Sequence, residues 1–362
     1  MNPTVWDEIN RWLRLGRPVH AQTLPGLDAT NRSLGRAVFN QCDLRGSRWS
    51  GADLTGATFI SCDLRGADWR GAQLQQMSFS QCPLSESRWN ETPSSLLSFA
   101  NCSLSQSDWR GARLEKSAFV TCPLTGSTWQ GAVLLRSAFN GCDFVASQWA
   151  NAQLLQSALV QADLRQAALT GLVAHTSLFI KANFSGQNMI NMALQRCTLQ
   201  EADFFDADLS GANLAECNAL GARFERTQMN NLIAPNVLFA QATLHDCQLG
   251  GAQLAGSVWQ KAQLSNTHFG GRGLAPARLA GSVWDHAMLS NVDLSRADLS
   301  RARFAHTRGT KVRFAGARLN HANLHAAQWH DCNFSGADLN GAQGTDPALA
   351  AAEKHSLEME PS

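Results

Sequence analysis

Tyrosine does not occur in this 362-residue chain, charged residues make up only 16% of it, and Lys+Arg 30 against Asp+Glu 29 leaves a formal net charge of +1. Globular enzymes average about 25% charged residues, so something other than an ordinary core sets this composition. The near-zero balance argues against a partner recruited by bulk charge, whether nucleic acid on a strongly basic surface or a nucleic-acid-binding protein lured by an acidic one. No apolar run approaches the roughly 18 residues of a membrane helix. Met1 to Arg11 carry Asp7 and Glu8 where a secretory signal would be basic and then apolar. A soluble, cytoplasmic protein is expected. GxSxG, Walker and dinucleotide-binding motifs are missing. None of the 10 Cys has CxxC or CxxH spacing, which argues against a zinc site.

What the sequence has instead is a period. From Phe39 it reads FNQCDLRGSRWSGADLTGAT, FISCDLRGADWRGAQLQQMS, FSQCPLSESRWNETPSSLLS and onward, six copies of 20 residues ending at Ala158 without an insertion. A shorter period of five runs through each copy, with a large apolar residue at Leu34, Phe39, Leu44, Trp49, Leu54 and Phe59. A small residue stands two positions earlier, as at Ala37, Cys42, Ser47, Ala52, Ala57 and Cys62. That register holds from Leu34 to Leu339, which is 62 consecutive pentapeptides. Five matches neither the 3.6-residue helical period nor the two-residue strand period, so the chain must turn at every repeat with one large and one small side chain inward. Four turns close a coil of 20 residues, giving 15.5 coils. At ~4.8 Å per rung the rod would be roughly 75 Å long.

The motifs GADLTGATF, RGADW, EADFFDADLSGANL and FSGADLNGA resemble the A(D/N)LXX signature of the pentapeptide-repeat family, over about 310 of the 362 residues. The resemblance implies an all-β fold, a right-handed quadrilateral parallel β-helix. The expected division is a helix and lead-in cap over 1–23, the β-helix over 24–344, and a tail over 345–362.

Stepping by 20 residues gives aromatic columns, Phe39 to Phe139 and Trp49 to Trp149, whose inward register makes them packing elements worth about 0.5–1.5 kcal/mol per stacked pair. Pairs such as Arg45-Gly46, Arg65-Gly66 and Thr125-Gly126 follow the central Leu, where a turn asks for positive φ. Three pentapeptides break the small-then-large order: Thr92/Ser94, Leu172/Ala174 and Leu232/Ala234, all on one face. Kinks or wider turns are expected there, with Leu97 supplying bulk beside Ser94. All ten Cys occupy the small inward slot and read as reduced substitutes for Ala or Ser. Histidine gathers in the C-terminal half, at His245, His268, His286, His306, His321, His325 and His330, in outward positions scattered over several faces.

The ends and the surface charges carry the functional expectations. Val5, Trp6, Ile9, Trp12 and Leu13 recur at helical spacing between Thr4, a suitable N-cap, and Gly16, a stop. The helix reads as a cap over the open β-helix end; alternatively Trp6 and Trp12 dock on a partner. Glu201, Asp203, Asp206, Asp208 and Glu216 form an acidic belt between Arg196 and Arg223. Arg296, Arg301, Arg303, Arg308, Lys311, Arg313 and Arg318 form a basic zone with only Asp293 and Asp298 among them. If either is an interface, charge chiefly sets partner choice and on-rate. No cofactor and no enzymatic activity is expected; the reading is a protein-binding scaffold or adaptor. The resemblance gives it two directions. Long, loop-free members look similar to accessories of type VI secretion spikes and their effectors. Other members mimic duplex DNA and bind type II topoisomerases through a strongly negative rod.

Overall fold

The computed structural model describes residues 3–270, 274 and 277–352. Two compact units divide the chain, Met1–Asn183 and Phe184–Ser362, and each is a parallel β-solenoid. Every β pairing joins a residue to the one 20 positions on, as in Phe39↔Phe59, Asp43↔Asp63, Trp49-flanking Arg48↔Asp68 and Asp208↔Gln228. The first unit holds an eight-stranded sheet running from Val19–His20 to Ala158–Val160 and a six-stranded sheet from Leu74–Gln75 to Val173–His175. The second holds a five-stranded sheet from Gln248–Gly250 to Gln328–His330. The remaining faces are joined from rung to rung by single bridges, with breaks before Pro83 and Pro123, which have no N–H to donate. The ladder begins at Val19, inside the segment expected to be lead-in, because Val19 pairs with Phe39 and is buried.

Inward residues carry numbers ending in 4 or 9 (large) and 2 or 7 (small), and nearly all are buried. Residues with positive φ carry numbers ending in 1 or 6, the corner of each turn. Gly46, Gly66 and Gly126 are there at +63°, +68° and +67°. Stacked Phe rings in the first unit lie 4.4–5.2 Å apart from Phe39 to Phe139. The stacked indoles from Trp49 to Trp149 lie 4.7–5.2 Å apart. Each column meets the other edge-on, as in Phe59 against Trp69 at 5.6 Å, so both faces and edges of the rings are used.

At Thr92/Ser94 and Leu232/Ala234 the expected kinks do not occur. Ser94 lies in the strand Pro93–Ser95 and pairs with both Leu74 and Leu114, Ala174 pairs with Leu154, and Ile233 bridges Asn213 and Gln253. At Leu172/Ala174 and Leu232/Ala234 the large and small side chains exchange slots and stay buried, and Leu97 is buried in the slot after Ser94. Inward volume is conserved near each corner while the backbone ladder, which does not depend on which inward side chain is large, runs on.

The small slots are of two kinds. Where a turn is closed, the slot N–H donates to the carbonyl three residues back, as Ser47 N–H does to Leu44 at 3.1 Å. Along the strand faces the turn is open, and the N–H goes instead to a side chain on the next rung. Cys42 N–H donates to Cys62 Sγ at 3.4 Å, Ser117 N–H to Ser137 Oγ at 3.2 Å, and Val312 N–H to Cys332 Sγ at 3.4 Å. Cys and Ser therefore serve these corners as acceptors as well as spacers.

Helix α1, Pro3–Arg14, starts at Pro3, one residue before the expected N-cap Thr4, and proline suits a first helical turn. It ends at Gly16, φ +62°, with Arg17 N–H returning to the Trp12 carbonyl at 2.9 Å. Residues 347–352 form a helical turn, and the rest of the tail, 353–362, lies outside the described residues. Among the described residues no helix is long and apolar enough to cross a membrane.

Candidate interaction surfaces

Trp6 is a capping residue. It is 7% exposed, Ile9 beside it is fully buried, and the Arg32 guanidinium lies 4.4 Å over its ring, so this indole is not available to a partner. Trp12 is half-buried.

Several outward charges in the first unit neutralise one another within a single pentapeptide. In each Asp-x-Arg run the guanidinium folds back on the carboxylate across the turn: Arg45 on Asp43, Arg65 on Asp63 and Arg70 on Asp68, all at 2.6 Å. The same carboxylate accepts the Arg backbone N–H, for example at 3.2 Å in Asp68–Arg70. These hydrogen bonds hold Asp43, Asp63 and Asp68 below the usual carboxylate range.

The acidic belt is largely neutralised by arginines one rung away in sequence steps of 20. Arg196 meets Glu216 at 3.0 Å, Arg223 meets Asp203 at 3.4 Å, and Arg226 meets Asp206 at 2.7 Å. Asp208 accepts the Ser210 N–H at 2.9 Å, and Glu201 accepts from Gln200 at 3.3 Å. Arg223 and Arg226 also flank the Phe205 ring, at 4.4 and 5.2 Å. Reading along the chain isolates these acids from cations; the coil restores the cations.

The arginines from Arg301 to Arg313 in the basic zone are not brought together, although Arg301 and Arg318 line one concavity. Arg301, Arg303, Arg308 and Arg313 follow one another around a single coil and so fall on different faces. Arg303 pairs with Asp285 at 2.5 Å, Arg308 stands between Met288 and Gln328, and Arg313 bridges Asp293 and Asn333.

Histidine is less uniformly outward than its positions imply. His286 and His306 stack at 4.9 Å, but His325 is 4% exposed, and its Nδ1 accepts the Asp346 N–H at 3.1 Å. Asp346 in turn caps the helical turn that follows, accepting the Ala348 N–H at 2.9 Å. Among the described residues no group of three or more His, Cys, Asp or Glu is arranged to hold a metal ion. Burial pushes the Cys217 and Cys247 thiols up to about 12, and contact with the Cys42 thiol followed by burial pushes Cys62 up as well.

A local pairing of Ser with Trp recurs among the inward residues. Seven inward tryptophans follow Ser by two positions, and in each the indole N–H donates to that hydroxyl: Trp49, Trp89, Trp109, Trp129, Trp149, Trp259 and Trp284, at 2.6–2.8 Å. Trp69 and Trp329 follow Ala67 and Ala327, and among the described residues these two indole nitrogens have no partner. The tripeptide Ser-x-Trp was the available signal.

The sequence matches a family model described as a pentapeptide repeat region over residues 32–109 and one described as pentapeptide repeats (8 copies) over 177–214, 207–246, 277–305 and 313–343. No curated protein matches it. Among solved structures it is similar to full-length QnrB1, a plasmid-mediated fluoroquinolone resistance protein, at 17% identity over 55% of this chain and 91% of that one, TM-score 0.34. It is also similar to HetL from the cyanobacterium Nostoc, a pentapeptide repeat protein involved in heterocyst differentiation regulation, at 20% identity over 93% and 95%, TM-score 0.23. A pentapeptide repeat protein of the Arabidopsis thaliana thylakoid lumen matches at 26% identity over 30% and 71%, TM-score 0.21.

Proposed function

We propose that this chain, which belongs to the pentapeptide-repeat family, is a non-catalytic protein–protein interaction scaffold or adaptor of the cytoplasm, and that it serves a bacterial type VI secretion spike or its effector. The observation that supports this reading is how the outward groups are used. They recur rung after rung on regular faces, and their charges pair within a turn or across one rung rather than converging on an enclosed cavity. Such a surface suits display of a repeated pattern to another protein. The secretion partner is drawn from the length of the array and its freedom from insertions.

The alternative, a DNA mimic that binds a type II topoisomerase, calls for a continuous negative surface. Asp203, Asp206 and Glu216 are committed to arginines, which favours the adaptor. Reciprocal affinity purification of the tagged full chain from its host, with mass spectrometry, is the test. Stoichiometric recovery of spike or effector subunits from both directions supports the adaptor. Recovery of topoisomerase subunits, with altered supercoiling when the purified chain is added, overturns it in favour of the mimic.

A further inference from the structure

In the second unit one edge of the solenoid has a notch. The corner residues Lys261, Gly281, Arg301 and His321 stack at successive rungs, held by Lys261 N–H to Ala280, Gly281 N–H to Ser300 and Arg301 N–H to Asn320 at 3.2, 2.9 and 2.8 Å. At the second rung the pair Ala280-Gly281 puts almost no side chain outward, and the gap opens a concavity of about 720 Å³. The Lys261 stem leans over it, with Cγ 3.9 Å from the place a Gly281 Cβ would take. Lys261 and Arg301 are exposed on opposite sides of the gap, and among the described residues neither has a carboxylate within ion-pair distance. Gln260, Ser300 and Asn320 add neutral hydrogen-bonding groups along the rim.

We infer that this notch is a docking site for an acidic peptide segment, whose carboxylates meet Lys261 and Arg301 while its backbone lies over Ala280-Gly281. The inference rests on the scaffold reading and gives its partner a chemistry. Two corner cations two rungs apart stand ~9.6 Å from each other at the backbone, within reach of two side-chain carboxylates of one extended segment. A nucleic acid fits less well. Asp298 and Asp338 flank Arg318 on the adjoining column, and Asp338 is engaged by Asn320 Nδ2 at 2.6 Å, so fixed negative charge bounds the cationic stretch. A phosphate backbone needs a continued run of cations, whereas isolated carboxylates among neutral residues need only these two.

Fluorescence anisotropy of the full chain with a fluorescein-labelled Glu-Ser-Gly repeat peptide tests it, beside the Gln-Ser-Gly peptide and a labelled oligothymidylate. Saturable, salt-sensitive binding of the acidic peptide alone is expected. Lys261→Gln/Arg301→Gln should weaken it about tenfold, and Arg308→Gln/Arg313→Gln, of equal charge change, less than about twofold. Gly281→Gln fills the notch without altering charge, and Gln is well accommodated at positive φ in this fold, as at Gln76 and Gln81; it should weaken binding about fivefold. No binding of the acidic peptide, equal loss in both double variants, or tighter binding of the oligothymidylate would overturn the inference. Recovery of a host partner that survives all three notch substitutions would remove the notch and leave the scaffold reading standing.

Discussion

Replacing Ala67 by Ser should stabilise the first unit. Trp69 is fully buried, its indole N–H has no acceptor among the described residues, and Ala67, also fully buried, occupies the slot where its neighbours on either rung carry Ser47 and Ser87. The space accepts a hydroxyl at those rungs, and a hydroxyl there can use both of its functions. Ser107 and Ser147 accept from the indole at 2.8 Å and donate to the carbonyls of Leu104 and Phe144 at 2.6 Å. The introduced hydroxyl would have the Leu64 carbonyl in the equivalent place. An unsatisfied buried donor costs about 1–3 kcal/mol, and a typical hydrogen bond nets about 1 kcal/mol. Ala67→Ser should therefore gain about 1 kcal/mol, and Ser87→Ala, which orphans Trp89, should lose about 1–3 kcal/mol. Hydrogen exchange of indole N–H groups in a 15N-tryptophan sample reads the effect locally. Trp69 exchange should slow about fivefold in Ala67→Ser, with a downfield shift of its resonance, while Trp129 stays unchanged. Exchange at Trp69 already as slow as at Trp109, and unmoved by the substitution, would refute the argument that the slot hydroxyl is the indole's acceptor.

Three further outcomes are expected. Ser157 accepts the Ser137 N–H at 3.1 Å at an open corner, so Ser157→Ala should cost about 1–3 kcal/mol in urea unfolding and Ser157→Cys much less; equal costs would make the slot a matter of size alone. Arg70 holds Asp68 below the usual carboxylate range, so its stabilisation is complete above the unfolded value of about 4 and is lost as pH falls through the lower folded one. Arg70→Gln should accordingly flatten the pH dependence of the thermal midpoint below about pH 4, and an unchanged profile would count against the clamp. Trp6→Ala, which uncovers the coil end, should destabilise by about 3–5 kcal/mol by thermal or urea unfolding, and Trp12→Ala by clearly less; the reverse order would make Trp12 the cap.

The sequence by itself determined the coil. A strict five-residue spacing of large and small apolar residues, without insertion, leaves a backbone no arrangement but a turn per repeat, so the inward set, the ring columns and the positive-φ corners could all be named by position. The Ser-x-Trp pairs were equally local, two residues apart, and needed only the question of where each indole proton goes. What the tertiary structure decided depends on what lies one rung away or beyond the solenoid's end. The ladder passes straight through Ser94 and the Leu232/Ala234 pentapeptide because inward volume is shared between slots, not owned by one residue. Trp6 is covered by Arg32, a residue with no sequence relation to the helix. The acids from Glu201 to Glu216 stand apart from cations along the chain but beside Arg196, Arg223 and Arg226 in the coil. The basic residues from Arg301 to Arg313 are neighbours in sequence and dispersed in space, while Lys261 and Arg301, forty positions apart, share one edge. Charge acts through distance, and in a solenoid residues 20 positions apart are nearer in space than many that are five apart.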